Sequence, residues 1–125
     1  MAQKPAWSRA EAFVCAFYDL ERTPNEPGEG WYDCINPRTG AKYQVKSAQR
    51  DRRFRLWSDQ HRSLVASDAN GVAWYVFVTS GEDPRRVKPS TVTKWVNERG
   101  GWNKANHELR PGALQHKLPV SEVFG

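Results

Sequence analysis

Residues 31–47, WYDCINPRTGAKYQVKS, decide how this chain is read. Two short strand patterns flank a turn made of Asn36, Pro37, Arg38, Thr39 and Gly40. In such a turn proline presets φ, Asn and Thr bond back to the local backbone, and glycine takes the positive φ. Side chains of a strand alternate between its faces. Lys42, Gln44 and Lys46 are therefore expected on one face of the second strand, and Tyr43, Val45 and Ser47 on the other. Asp33 sits on the preceding strand, which the hairpin folds back alongside. A carboxylate, an amide oxygen and an ammonium group are thus expected at one end of a small sheet.

Outward from this hairpin, length and charge bound the answer. The 125 residues suit one domain, 1–125, with a core over about 8–80 and a C-terminal helix and tail over about 88–125. The net charge is +5, from 19 Lys and Arg against 14 Asp and Glu, a balance that favours a polyanionic partner. Six Trp imply a dense aromatic core or a stacking surface. Cys15 falls in a helical pattern and Cys34 in a strand, as in a reduced, cytoplasmic protein. The N-terminus lacks an apolar signal region and no run reaches the length of a membrane span, so no membrane partner is expected. The three His (61, 107 and 116) show no zinc spacing with the two Cys.

Upstream, a helix is expected from about Ser8 to Glu21. Ser8 and Glu11 form a capping-box pattern, and Ala10, Phe13, Val14 and Phe17 recur at helical spacing as a core face. Thr23-Pro24 ends the helix and residues 25–30 form a loop. Downstream, residues 50–57, RDRRFRLW, read as a third strand in which Phe54 and Leu56 alternate with Arg53 and Arg55. Its basic face suits either a solvated, charge-guarded edge or a stripe of phosphate contacts from Arg50, Arg52, Arg53 and Arg55.

Ser58 opens a helix whose His61, Leu64, Val65 and Asp68 share a stripe, and Asn70-Gly71 stops it. Residues 72–78, VAWYVFV, form a continuous apolar run of the kind a buried central strand requires. Ser90 caps a further helix through Glu98, with Val92, Trp95 and Val96 on one face and Gly100-Gly101 beyond its end. From Trp102 on, a tail carries Lys104, His107, Arg110, His116 and Lys117, and suits an extended arm over the domain, a DNA-contacting tail or a short partner-binding segment. Val120, Val123 and Phe124 mark its end as docked on something apolar.

Asp33, ten intervening residues and Gln44-Val45-Lys46 resemble the PD-(D/E)xK nuclease motif in its QxK variant. The pattern is similar to that of archaeal Holliday-junction resolvases and Mrr-like type IV restriction enzymes. The resemblance covers about Glu11 to Val78, in the order αβββαβ. It implies an α/β, restriction-endonuclease-like core with a mixed central sheet flanked by helices. It further implies a metal-dependent endonuclease acting on DNA, branched or modified DNA included, with homodimers by analogy to other small nucleases.

By the same resemblance Asp33, Gln44 and the Val45 carbonyl hold Mg²⁺, or Mn²⁺ in its place. Lys46 orients the attacking water and offsets phosphate charge. Glu11 completes the metal site from the first helix, or is only the partner of a helix cap. Gln60 helps order the active-site end and joins the nucleic-acid contacts, or is simply solvated. A phosphodiester repels hydroxide, so these residue types have a chemical reason to gather: an oxygen-ligated cation and a fixed positive charge. Two other classes fit the same residues, a non-catalytic nucleic-acid-binding module on this scaffold and a Trp-rich protein-interaction domain.

Overall fold

The computed structural model of the protein describes residues 9–23, 32–70 and 72–125. The expectations for Ser8, for the loop over 24–30, for Trp31 and for Gly71 lie outside these residues. Helix α1 (Arg9–Tyr18) stops short of Glu21. Asp19 turns left-handed at φ 59°, and Leu20 N–H donates to the Cys15 carbonyl at 2.8 Å. This is a Schellman-type closure, which a short polar side chain tolerates in the left-handed position. The chain then enters β1 (Glu21–Arg22), a strand with no signal in the sequence. The core face of α1 also differs from expectation. Val14 is fully buried, whereas Phe13 and Phe17 are 42% and 48% exposed and pack edge-on against each other.

Strands β2 (Cys34–Ile35) and β3 (Lys42–Ser47) form the expected hairpin, with Cys34 opposite Tyr43. The turn closes as its residue types dictate. Asn36 Oδ1 accepts from Arg38 N–H at 2.9 Å, Thr39 Oγ1 accepts from Ala41 N–H at 3.2 Å, and Gly40 takes φ 79°. Strand β4 (Arg53–Trp57) then leaves this sheet, and α2 (Ser58–Asn70) carries the chain back to β5 (Ala73–Val78). β5 lies parallel to β3, with Gln44 beside Tyr75 and Lys46 beside Phe77. β6 (Arg85–Val87) completes a mixed sheet in the order β1-β2-β3-β5-β6, so β3 is central.

Both faces of β5 are covered, which accounts for its unbroken apolar run. Val76 packs with Val14, Leu20, Cys34 and Tyr43 on the α1 side. Tyr75 and Phe77 pack with Phe54, Leu56, Leu64 and Leu118 on the other. Cys15 Sγ and Cys34 Sγ are 2.9 Å apart as free thiols, tying α1 to β2. Burial pushes both thiols above their ordinary pKa.

Helix α3 (Pro89–Glu98) starts one residue before Ser90. Lys88 is its N-cap and makes no side-chain capping bond, while Pro89 occupies the first turn with its preset φ. Ser90 is therefore inside the helix rather than its cap. β7 (Asn103–Lys104), β8 (Leu114–Pro119) and α4 (Val120–Phe124) follow. β4, expected as a third strand with a basic face, pairs antiparallel with β8, which also pairs with β7. The tail is thus a second sheet in the order β4-β8-β7 rather than an extended arm. Leu118, Val120 and Val123 enter the core as the apolar end of the sequence suggested. Among the described residues no helix is long and apolar enough to cross a membrane.

Candidate active site

Asp33 stands where the chain enters the hairpin, and its backbone is fixed on both sides. Its N–H donates to the Tyr43 carbonyl at 2.8 Å, and its own carbonyl accepts from Thr23 N–H at 2.9 Å. So anchored, the side chain reaches past β2, and Oδ2 accepts from Val45 N–H at 2.8 Å. Glu11, in the first turn of α1, hydrogen-bonds to the same carboxyl. Burial raises the Asp33 pKa. The Val45 N–H, the charge of Lys46, the Glu11 contact and the charge of Arg22 oppose the rise without cancelling it.

Lys46 lies two residues beyond Gln44 on β3, so period-two alternation places both side chains on the α2 side of the sheet. Gln44 is buried, at 3% exposure. Lys46 Nζ donates to Gln60 Oε1, in the first turn of α2, at 3.2 Å. Burial lowers the Lys46 pKa to about 8, and Asp33 pulls the other way. Smaller contributions come from Arg110 and Arg55, which lower it, and Asp59, which raises it.

The donors expected from the sequence are all oxygens, the carboxyls of Asp33 and Glu11, the Gln44 amide and the Val45 main-chain carbonyl, and of these Asp33 and Glu11 are in contact. Burial disfavours the charged form of Asp33, a cost that a bound cation would offset. A hard divalent cation fits that arrangement. Among the described residues no group of three or more His, Cys, Asp or Glu gathers. Such a cation would therefore rest on two carboxyls and neutral oxygens.

Beside the end of β3, a groove of about 460 Å³ is lined by Ser47, Asp51, Arg52, Arg53, Arg55 and Lys117. Alternation along β4 buries Phe54 and Leu56 and leaves Arg53 and Arg55 outside. Pairing with β8 puts Lys117 directly opposite Arg55. A second hollow of about 260 Å³ continues past Arg55 and Lys117 to Lys104 and His107. Of the four arginines singled out in the sequence, Arg52, Arg53 and Arg55 line this surface. Arg50 is instead engaged with Glu82 Oε2 through both terminal nitrogens, at 2.9 and 3.0 Å. Gln60, expected among the nucleic-acid contacts, stands against Lys46.

Asp59 carries no local pattern that points to the site, whereas Arg110 and Lys117, expected only as basic residues of the tail, reach it through distant pairing. Arg110 reaches Asp59 Oδ2 at 2.6 Å and lies over the Trp57 ring, 4.1 Å from its centroid. A family model described as a PD-(D/E)XK nuclease superfamily domain matches residues 2–125 of the chain. No curated protein and no solved structure matches it.

Proposed function

The chain belongs to the PD-(D/E)XK nuclease superfamily, and from that premise we propose that it is a metal-dependent endonuclease that hydrolyses DNA phosphodiester bonds. One observation carries the reading: the Asp33 carboxyl meets the N–H of Val45, next to Lys46 on β3, and also meets Glu11 from α1. Asp33, Glu11, Gln44 and the Val45 carbonyl would hold Mg²⁺, with Mn²⁺ able to substitute. Such a cation, when bound, supplies Lewis-acid polarisation and neutralises charge at the scissile phosphate.

The chain's own residues do the rest. Lys46, pinned by Gln60, orients the attacking water and offsets negative charge developing on the phosphate. Its low-dielectric surroundings strengthen that interaction relative to one in water. Gln44 offers a neutral oxygen where an acidic ligand is usual, which weakens the hold on a cation, and Glu11 compensates with its carboxylate. Arg52, Arg53, Arg55 and Lys117 take the neighbouring backbone phosphates, through contacts that position the duplex without reading its sequence.

The test is cleavage of duplex, single-stranded and four-way-junction DNA with Mg²⁺ or Mn²⁺. We expect nicks or cuts that EDTA abolishes. Asp33→Ala loses cation binding and cleavage together with the fold intact. Lys46→Ala keeps cation binding and loses on the order of 10²–10³ in rate, the scale of losing one preorganised charge-stabilising group. Gln44→Glu tightens cation binding and retains activity. Absence of metal-dependent cleavage on all three substrates overturns the reading and leaves a nucleic-acid-binding module on a nuclease scaffold.

A further inference from the structure

Arg110 belongs to the loop between β7 and β8, and that loop is tightly built. Ala105 N–H donates to the Ala113 carbonyl at 2.9 Å and closes its base. Within it, Arg110 N–H donates to the His107 carbonyl, and the Arg110 carbonyl accepts from Ala113 N–H, both at 3.1 Å. Arg110 is thus the shared residue of two consecutive turns. The loop docks on Trp57 through two side chains: the His107 ring sits edge-on to the indole at 5.6 Å, and the Arg110 guanidinium covers it at 4.1 Å.

Trp57 is the last residue of β4, and α2 begins immediately after it. The first turn of α2 carries Asp59, which holds Arg110, and Gln60, which holds Lys46. The guanidinium is therefore fixed within one helical turn of the partner of the proposed catalytic lysine. The charges of Arg110, Arg55, Asp33 and Asp59 all act on Lys46, and Asp59 is half in solvent. Among the described residues Asp59 is the only side chain that hydrogen-bonds to the Arg110 guanidinium. A planar, five-donor group of this kind, stacked on an indole and incompletely engaged, is pre-arranged for the paired oxygens of a phosphate.

We propose that Arg110 is a substrate-contacting residue whose guanidinium binds the non-bridging oxygens of the scissile phosphate, with Asp59 holding it in place until the phosphate arrives. The proposal rests on the nuclease reading and adds to it a residue outside the D-x10-QxK pattern. Asp59 acts as a positioning residue. The phosphate competes for the same guanidinium that Asp59 holds, so Asp59 aligns the donor without consuming all of it.

The experiment compares wild type, Arg110→Ala, Arg110→Lys and Asp59→Ala, with thermal unfolding as a check on folding. Cleavage is measured under steady-state conditions in Mn²⁺, and duplex binding is measured in EDTA across a salt series. We expect Arg110→Ala to lose on the order of 10² in kcat with a smaller rise in KM, and Arg110→Lys to recover part of that loss. The slope of log affinity against log salt should fall by about one for Arg110→Ala. Asp59→Ala should keep the wild-type slope and lose no DNA affinity. The proposal is overturned if Arg110→Ala keeps kcat and the salt slope. It is also overturned if Asp59→Ala and Arg110→Ala lose DNA affinity alike, since the pair then serves only to build the loop. A wild type that cuts nothing defeats the nuclease reading alone, because the salt slope in EDTA still reports on the phosphate contact.

Discussion

His61 is enclosed by two hydroxyls, with Nδ1 2.7 Å from Tyr75 Oη and Nε2 2.7 Å from Thr93 Oγ1. The Trp102 ring packs against it at 5.3 Å. Burial lowers its pKa to about 4 from the ordinary 6.5. Between those values the unfolded chain binds a proton that the folded chain refuses, so stability rises with pH across this window. The contribution is fully present above pH 6.5 and is lost as the pH falls toward 4, up to roughly 3 kcal/mol in all. Urea unfolding at pH 7.5 and 4.5 measures the loss, and His61→Gln should flatten that difference. A flat wild-type curve would show that the imidazole charges without cost. The apolar stripe of the helix told that this histidine faces inward. Its two hydroxyl partners come from β5 and α3, which the stripe could not name.

Strand β4 shows how far local pattern reaches. Period-two alternation separated Phe54 and Leu56 from Arg53 and Arg55 because it depends only on neighbours in sequence. The partner strand is a different matter: Arg55 lies opposite Lys117, and nothing within β4 encodes that choice. The same limit explains why Arg50 could not be told from Arg53, since Glu82 arrives from another loop. A consequence follows for DNA binding. Arg55→Glu with Lys117→Glu should weaken affinity across all sequences and reduce the salt slope by about two. Arg50→Glu should change the slope far less, because its guanidinium already serves Glu82. Equal slopes for the two variants would place the phosphates elsewhere.

At the scale of the molecule, the central sheet separates two apolar clusters. The larger is sealed by residues from the far end of the chain: Leu118, Val120 and Val123 join Phe54, Leu56 and Tyr75. Leu118 is fully buried, so Leu118→Ala should cost about 2–5 kcal/mol in urea unfolding, removed methylene groups plus the cavity left behind. A value below 1 kcal/mol would mean that the cluster re-closes around the gap. The hairpin, its turn and the buried central strand were legible in sequence, because residue type dictates each of them locally. The second sheet was not, because it joins β4 to a strand some sixty positions later.

That late pairing sets an order of events during synthesis. A nascent chain exposes Glu11, Asp33, Gln44 and Lys46 well before Leu114–Pro119 emerges, yet until then β4 has no partner strand and Phe54 and Leu56 lack the cover that Leu118 gives. Arg110 and Lys117 likewise follow the Gln44-Val45-Lys46 motif by more than sixty residues. The residues proposed for hydrolysis are therefore translated first, and the basic surface proposed to bring a nucleic acid to them is assembled last.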